Sequence, residues 1–243
     1  MRSNLMLSRL NNFESFYWGE TAVKLLRGTK DVELAEVLSA NLAEFAKHEN
    51  FSYGYEHDAI GVLDVLLDEY FPQAWPKVAS ALESDYLTLQ HIKGLIGTKN
   101  GTYGKEGILF KYPSYYQQIY DWAAGSDKGK IALANILPFA QQSEVEDSET
   151  GKLTKEVTIH DFAKGFIDSF GSDENILNEL AANLGTFGTV GGSEWYFKLL
   201  ADLTGKLATH SNATVRNWAK KAVKYYEKSL AAERLENQNR QIE

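Results

Sequence analysis

The sequence contains no cysteine, which excludes disulfides, thiolate nucleophiles and zinc sites with cysteine ligands. It also lacks any run of about 18 consecutive apolar residues, so no segment reads as a membrane-spanning helix. The opening Met1-Arg2-Ser3-Asn4-Leu5 has no apolar stretch of the signal-peptide kind. A cytoplasmic protein without membrane attachment is expected. Positive charge is scarce as well: 25 Lys and Arg stand against 33 Asp and Glu, a formal net charge of −8. That balance argues against a general nucleic-acid coat, which relies on clustered Lys and Arg, but permits a local basic stripe.

Catalytic signatures are missing too. A Walker loop needs a Gly, four residues, then Gly-Lys-Ser or Gly-Lys-Thr, so that backbone amides cradle phosphate. Where the first Gly should stand, Lys99 precedes Gly104-Lys105, Ala124 precedes Gly129-Lys130, Glu146 precedes Gly151-Lys152 and Leu200 precedes Gly205-Lys206. Gly185, Gly188, Gly191 and Gly192 fall between two helical segments, not at the strand-to-helix turn of a dinucleotide fingerprint. No Gly-x-Ser-x-Gly elbow occurs. No catalytic residue, cofactor or metal ligand is therefore assigned.

Helical periodicity is what remains, in a chain whose 44% apolar and 24% charged residues are those of a globular protein. Ile159, Phe162, Ala163, Phe166, Ile167 and Phe170 follow the three-and-four spacing of a helix face. Leu34, Leu38, Leu42 and Phe45 repeat it, as do Ile60, Leu63, Leu67 and Tyr70, then Tyr196, Leu199, Leu203 and Leu207. Strand-like alternation is nearly absent. Thr158 with Asp161 reads as a capping box, and Gly28, Gly97, Gly125 and Gly171 as left-handed helix ends. Pro72 and Pro113 stand where new helices can open, giving about eleven in all.

Helical hairpins open near Val32, Gln73, Ser114, Thr158 and Ser193, at steps of about 41, 41, 44 and 35 residues. These steps lie near the period of HEAT and armadillo arrays, whose units bury their apolar faces by stacking. The expectation is an all-α fold, a single helical-repeat domain over 1–243 in which stacked hairpins form a superhelical array. Residues 1–30 would cap it. Residues 141–157, acidic and without a sustained apolar pattern, would form a flexible insert.

The stretch from His210 to Val223, with Val215-Arg216-Asn217-Trp218-Ala219 at its centre, resembles the second-helix entry of a HEAT repeat. The resemblance implies that Asn212 or Thr214 caps the helix, that Val215, Ala219 and Ala222 face its partner, and that Arg216 packs towards an adjacent repeat. Ala213 departs from the pattern by standing where Pro is frequent. The order Pro113 to Trp122, Leu137-Pro138, Gly191-Gly192-Ser193 and then Val215 to Ala219 with a charged tail is similar to helical C-terminal regions of prokaryotic anti-phage defence proteins. There such arrays sense a ligand or hold subunits together.

Two features suit binding. The connection from Thr98 to Tyr116 interleaves Lys99, Lys105 and Lys111 with Tyr103, Phe110, Tyr112, Tyr115 and Tyr116, side chains that could stack on a base or peptide and meet negative charge. On the last helix Arg216, Lys220, Lys224 and Lys228 recur every four residues, joined by Lys221. At about 40° of drift per step they form a slanted basic stripe. The function expected is a non-enzymatic interaction or sensor module, with a protein partner first, and nucleic acid through this stripe second. The enzymatic alternative is an HD-like metal-dependent phosphohydrolase built on His57-Asp58 with His48, or on His160-Asp161 with His91, and a later Asp121 or Asp202. Neither spacing matches that family's pattern well.

Overall fold

A computed structural model of the chain describes residues 18–47, 56–96, 107–146, 153–185 and 194–240. These hold eleven α-helices and one pair of strands. Glycine at 97, residues 1–17, and His48 lie outside them, as does the stretch from Thr98 to Glu106. The described residues up to Ile136 form one compact unit and those from Leu137 form another. None of their helices is long and apolar enough to cross a membrane.

The first unit runs α1 (Trp18–Thr29), α2 (Val32–Phe45), α3 (Glu56–Glu69), α4 (Phe71–Leu82) and α5 (Tyr86–Ile96). Two 3-10 turns follow, Ile108–Lys111 and Pro113–Tyr115, then α6 (Tyr116–Ala124) and α7 (Asp127–Ile136). Its most extensive packing skips a helix, α2 against α4 and α1 against α3, while α3 lies against α5 and the neighbours α3–α4 and α4–α5 also pack. The reason is the breadth of α3's apolar surface. Of the expected Ile60, Leu63, Leu67 and Tyr70, Ile60 is only half-buried and Tyr70 follows the helix end; besides Leu63 and Leu67, α3 buries Ala59, Val62, Val65 and Leu66. A helix apolar over most of its circumference must be covered on several sides, and α1, α2, α4, α5 and the first 3-10 turn supply that cover.

Local chemistry sets the helix ends. Asp31 accepts the Leu34 amide at 3.0 Å and Asp85 the Thr88 amide at 3.0 Å, each satisfying a donor that a first helical turn leaves free. Ser126 opens α7, accepting the Gly129 amide at 2.8 Å while its hydroxyl donates to Glu83. Pro72 stands in the first turn of α4, as expected. The glycine expectations fare differently. Gly28 lies inside α1, and the left-handed position that ends this helix is Lys30, at φ 53°. Its amide donates to the Leu26 carbonyl and its ammonium pairs with Glu69. Gly125 and Gly171 do end α6 and α8, as expected, but keep negative φ, so neither is a left-handed cap.

The second unit comprises β1 (Ala140–Glu146), β2 (Leu153–Ile159), α8 (Asp161–Phe170), α9 (Glu174–Gly185), α10 (Glu194–Lys206), a 3-10 turn (Leu207–Thr209) and α11 (Ala213–Arg240). The strands pair antiparallel, Ala140 opposite Ile159 and Glu146 opposite Leu153, so the segment 141–157 read as an acidic flexible insert contributes residues to both strands. A two-stranded pair can form from polar residues when its cross-strand hydrogen bonds, not an alternating apolar face, hold it. Thr158 therefore belongs to β2, and the cap of α8 is His160, whose Nδ1 accepts the Phe162 amide at 3.0 Å. The core of this unit gathers Phe162, Phe166, Ile167, Leu177, Leu180, Leu200, Leu203, Val215, Trp218 and Tyr226. α11 packs on α10 along much of its length and also on α9.

Candidate functional site

The aromatic half of the 98–116 connection folds back on its own unit. Tyr115 stacks on Phe71 with ring centroids 3.9 Å apart and planes 5° from parallel, and its hydroxyl donates to the Asp68 carbonyl. Tyr116 donates to the Phe110 carbonyl at 2.7 Å. Of the candidate binding residues there, Lys111 pairs with Asp64 at 3.1 Å and the Tyr112 hydroxyl donates to the same carboxylate at 3.0 Å. Burial and the Asp64 charge push the Tyr112 phenol up. Lys111 and Tyr112 thus clamp the connection to α3. Lys99, Tyr103 and Lys105 lie outside the described residues.

The other candidates stand on α11. Asn212 is the cap, its Oδ1 accepting the Thr214 amide at 2.8 Å. Val215, Trp218, Ala219 and Tyr226 are buried, which fixes the direction in which the rest of the helix points. Arg216 turns back on the entry loop and donates to the carbonyls of His210 and Ser211 at 2.7 and 2.6 Å. Lys221 pairs with Glu174 of α9 at 2.6 Å. Lys220, Lys224 and Lys228 are exposed and have no carboxylate partner among the described residues. Between them stands Tyr225, 63% exposed, one helical turn from both Lys221 and Lys228. The structure thus leaves Lys220, Lys224 and Lys228 as an exposed slanted stripe with the solvent-facing Tyr225 at its edge, one turn before Lys228, and sets Arg216 apart from them. Tyr225 was legible from its three-and-four spacing to the lysines, although its exposure was not.

The His57 side chain lies outside the described residues, as His48 does; the other histidines are engaged structurally. The His91 Nδ1–H donates to the Ala46 carbonyl at 2.7 Å. His160 is buried at the start of α8, and its Asp161 neighbour pairs with Lys164, whose hydrogen bond holds that carboxyl below its ordinary value. His210 Nδ1 accepts the Asn212 amide at 3.1 Å, so Nε2 carries the proton that Asp168 Oδ1 accepts at 2.9 Å. A general base needs a free imidazole lone pair, and that of His210 is engaged by backbone. Among the described residues no three His, Asp or Glu side chains come together as metal ligands would.

Beside the His210–Asp168 pair lies a groove of about 410 Å³, lined by Thr158, Ile159, Lys164, Ile167, Lys206 and Leu207 as well. A second hollow of about 320 Å³ is lined by Glu174, Thr214, Asn217, Lys220 and Lys221. No protein-family model, curated protein or solved structure matches the chain.

Proposed function

We propose that the protein is a non-enzymatic interaction module that engages an acidic protein partner through the outer face of α11. The observation that carries this reading is the exposed stripe of Lys220, Lys224 and Lys228 with the exposed Tyr225 at its edge, on a chain whose net charge is −8. Aromatic side chains flanked by cations are suited to the centre of an interface, where the ring loses little rotamer freedom and the charges select an opposite potential. The helix-skipping packing of α1 to α5 supports the stacked-hairpin, HEAT-like architecture within the same proposal. Its setting in anti-phage defence rests on the resemblance of the chain's later helices to such proteins.

The test is affinity capture from the source cell by the full chain and by a variant carrying Lys220→Glu, Lys224→Glu and Lys228→Glu. A protein recovered with the first and lost with the second is expected. Equal recovery by both overturns the reading. Salt-sensitive DNA or RNA binding by the unaltered chain, lost in the variant, would replace the protein partner with nucleic acid. Metal-dependent phosphatase activity abolished by His160→Ala would replace the module with a hydrolase.

A further inference from the structure

The two-stranded sheet leaves β2 with an unpaired edge. The His160 amide donates to the Phe139 carbonyl at 2.9 Å, which makes residues 139 and 160 a hydrogen-bonded pair and, in the observed register, 141 and 158 the next. Antiparallel ladders alternate, so the N–H and C=O groups of Val157 and Ile159 point away from β1. They meet no partner among the described residues. Ile159 is only 4% exposed, and backbone groups at so buried a position ordinarily have one.

The groove of about 410 Å³ touches both Thr158 and Ile159. Successive strand residues point to opposite faces, so a groove that meets both lies along the strand's edge. Its floor is apolar, formed by Ile159, Ile167 and Leu207. Its rim carries Lys164, held by Asp161, and Lys206, which has no carboxylate partner among the described residues. Asp168, bonded to His210, is the single acid in the lining.

We propose that the outer edge of β2 is a docking site for an extended peptide of a partner protein, one apolar side chain filling the groove and one Asp or Glu pairing with Lys206. Strand addition takes its affinity from main-chain hydrogen bonds and its selectivity from the pockets beside them. Val157 and Ile159 supply the first, and the apolar floor with Lys206 supplies the second. The site rests on the reading of the chain as an interaction module, but none of its residues belongs to the α11 cluster.

The probe is a synthetic library of short peptides that alternate apolar and acidic residues, presented to the full chain. Selected binders should lose about tenfold or more in affinity against Lys206→Glu. Val157→Pro should weaken them similarly, because proline removes an N–H that faces outward and leaves the ladder to β1 intact. Peptide addition to the unaltered protein should slow amide exchange at Val157 and Ile159. Absence of any binder, indifference of binders to Lys206→Glu, or unchanged exchange at both amides would each overturn the site. The triple α11 variant should bind the same peptides normally; loss there would assign them to the α11 face and defeat this site while leaving the module reading standing.

Discussion

Gly171 shows how much one position can carry. A Cβ there would stand 2.4 Å from the Ile167 carbonyl oxygen and 2.6 Å from Val215 Cγ2, so the end of α8 and the first turn of α11 meet across a bare backbone. Gly171→Ala should destabilise the protein by about 1–3 kcal/mol, the range for overpacking a filled core, measured by urea unfolding. Tyr70, at the junction of α3 and α4, ties them to α1 through a single atom: its buried hydroxyl donates to the Leu26 carbonyl at 2.7 Å. Tyr70→Phe should cost about 1 kcal/mol in the same measurement, the net worth of one neutral hydrogen bond. Residue type alone suggested glycine for helix endings. Gly171 does end α8, but its need for glycine comes also from contact with Val215, and contact between segments this far apart in sequence could not be read from either segment.

At the scale of elements, α11 is held at both ends by polar bonds and in its middle by apolar ones. Asn212→Ala, which removes the cap, should cost about 1 kcal/mol by thermal unfolding. Farther along, Glu194 of α10 accepts from Asn237 at 2.9 Å and Arg234 at 3.2 Å. Between these ends burial pushes the Tyr196 phenol up to about 12, and it raises that of Tyr226 as well. A phenol raised in the folded state stays neutral after its unfolded counterpart has ionised. The stability it contributes is complete below the ordinary value of 10.0 and lost as pH climbs from there through about 12. Alkaline unfolding followed by tyrosinate absorbance should therefore begin above 10, and Tyr196→Phe should shift its onset to higher pH.

The strands are the element least visible in the sequence. In β1, Gln141, Gln142 and the acids that follow offer no alternation of apolar and polar residues, so the pattern that identifies a half-buried strand is absent there, while β2 carries it only in Leu153, Val157 and Ile159. Hydrogen bonding between two segments created them. The same holds for the cap of α8: Thr158 and Asp161 have suitable side chains for a capping box, yet pairing draws Thr158 into β2 and leaves the position to His160.

For the whole molecule, the acidic limb of the stability profile follows from its carboxylates. The Thr88 amide holds the Asp85 carboxyl down, Lys130 does so for Asp127, Lys164 for Asp161, and the Asn237 amide for Glu194. Each group has a folded value below its unfolded one. The stability it adds is present above the ordinary carboxylate range and disappears as pH falls through the lowered values. The midpoint of thermal unfolding should fall as pH is lowered beneath that range, and Asp85→Asn should flatten the dependence. A profile that is level there, or unchanged in the variant, would contradict this account.

The sequence by itself determined the helices, because a three-and-four apolar spacing commits each segment to one buried face without reference to any other. It also determined the Pro72 helix start and the basic residues of α11, and it narrowed the cap of α11 to Asn212 or Thr214, of which the structure uses Asn212. Tertiary structure decided which charges remain available. Lys111, Lys221 and Arg216 found acceptors on other segments or in the preceding turn, whereas Lys220, Lys224, Lys228 and Lys206 did not meet a carboxylate among the described residues. It decided as well that β2 has an open edge beside an apolar groove. Periodicity is a property of one segment, while the exposure of a charge or a strand edge depends on what the rest of the chain brings beside it.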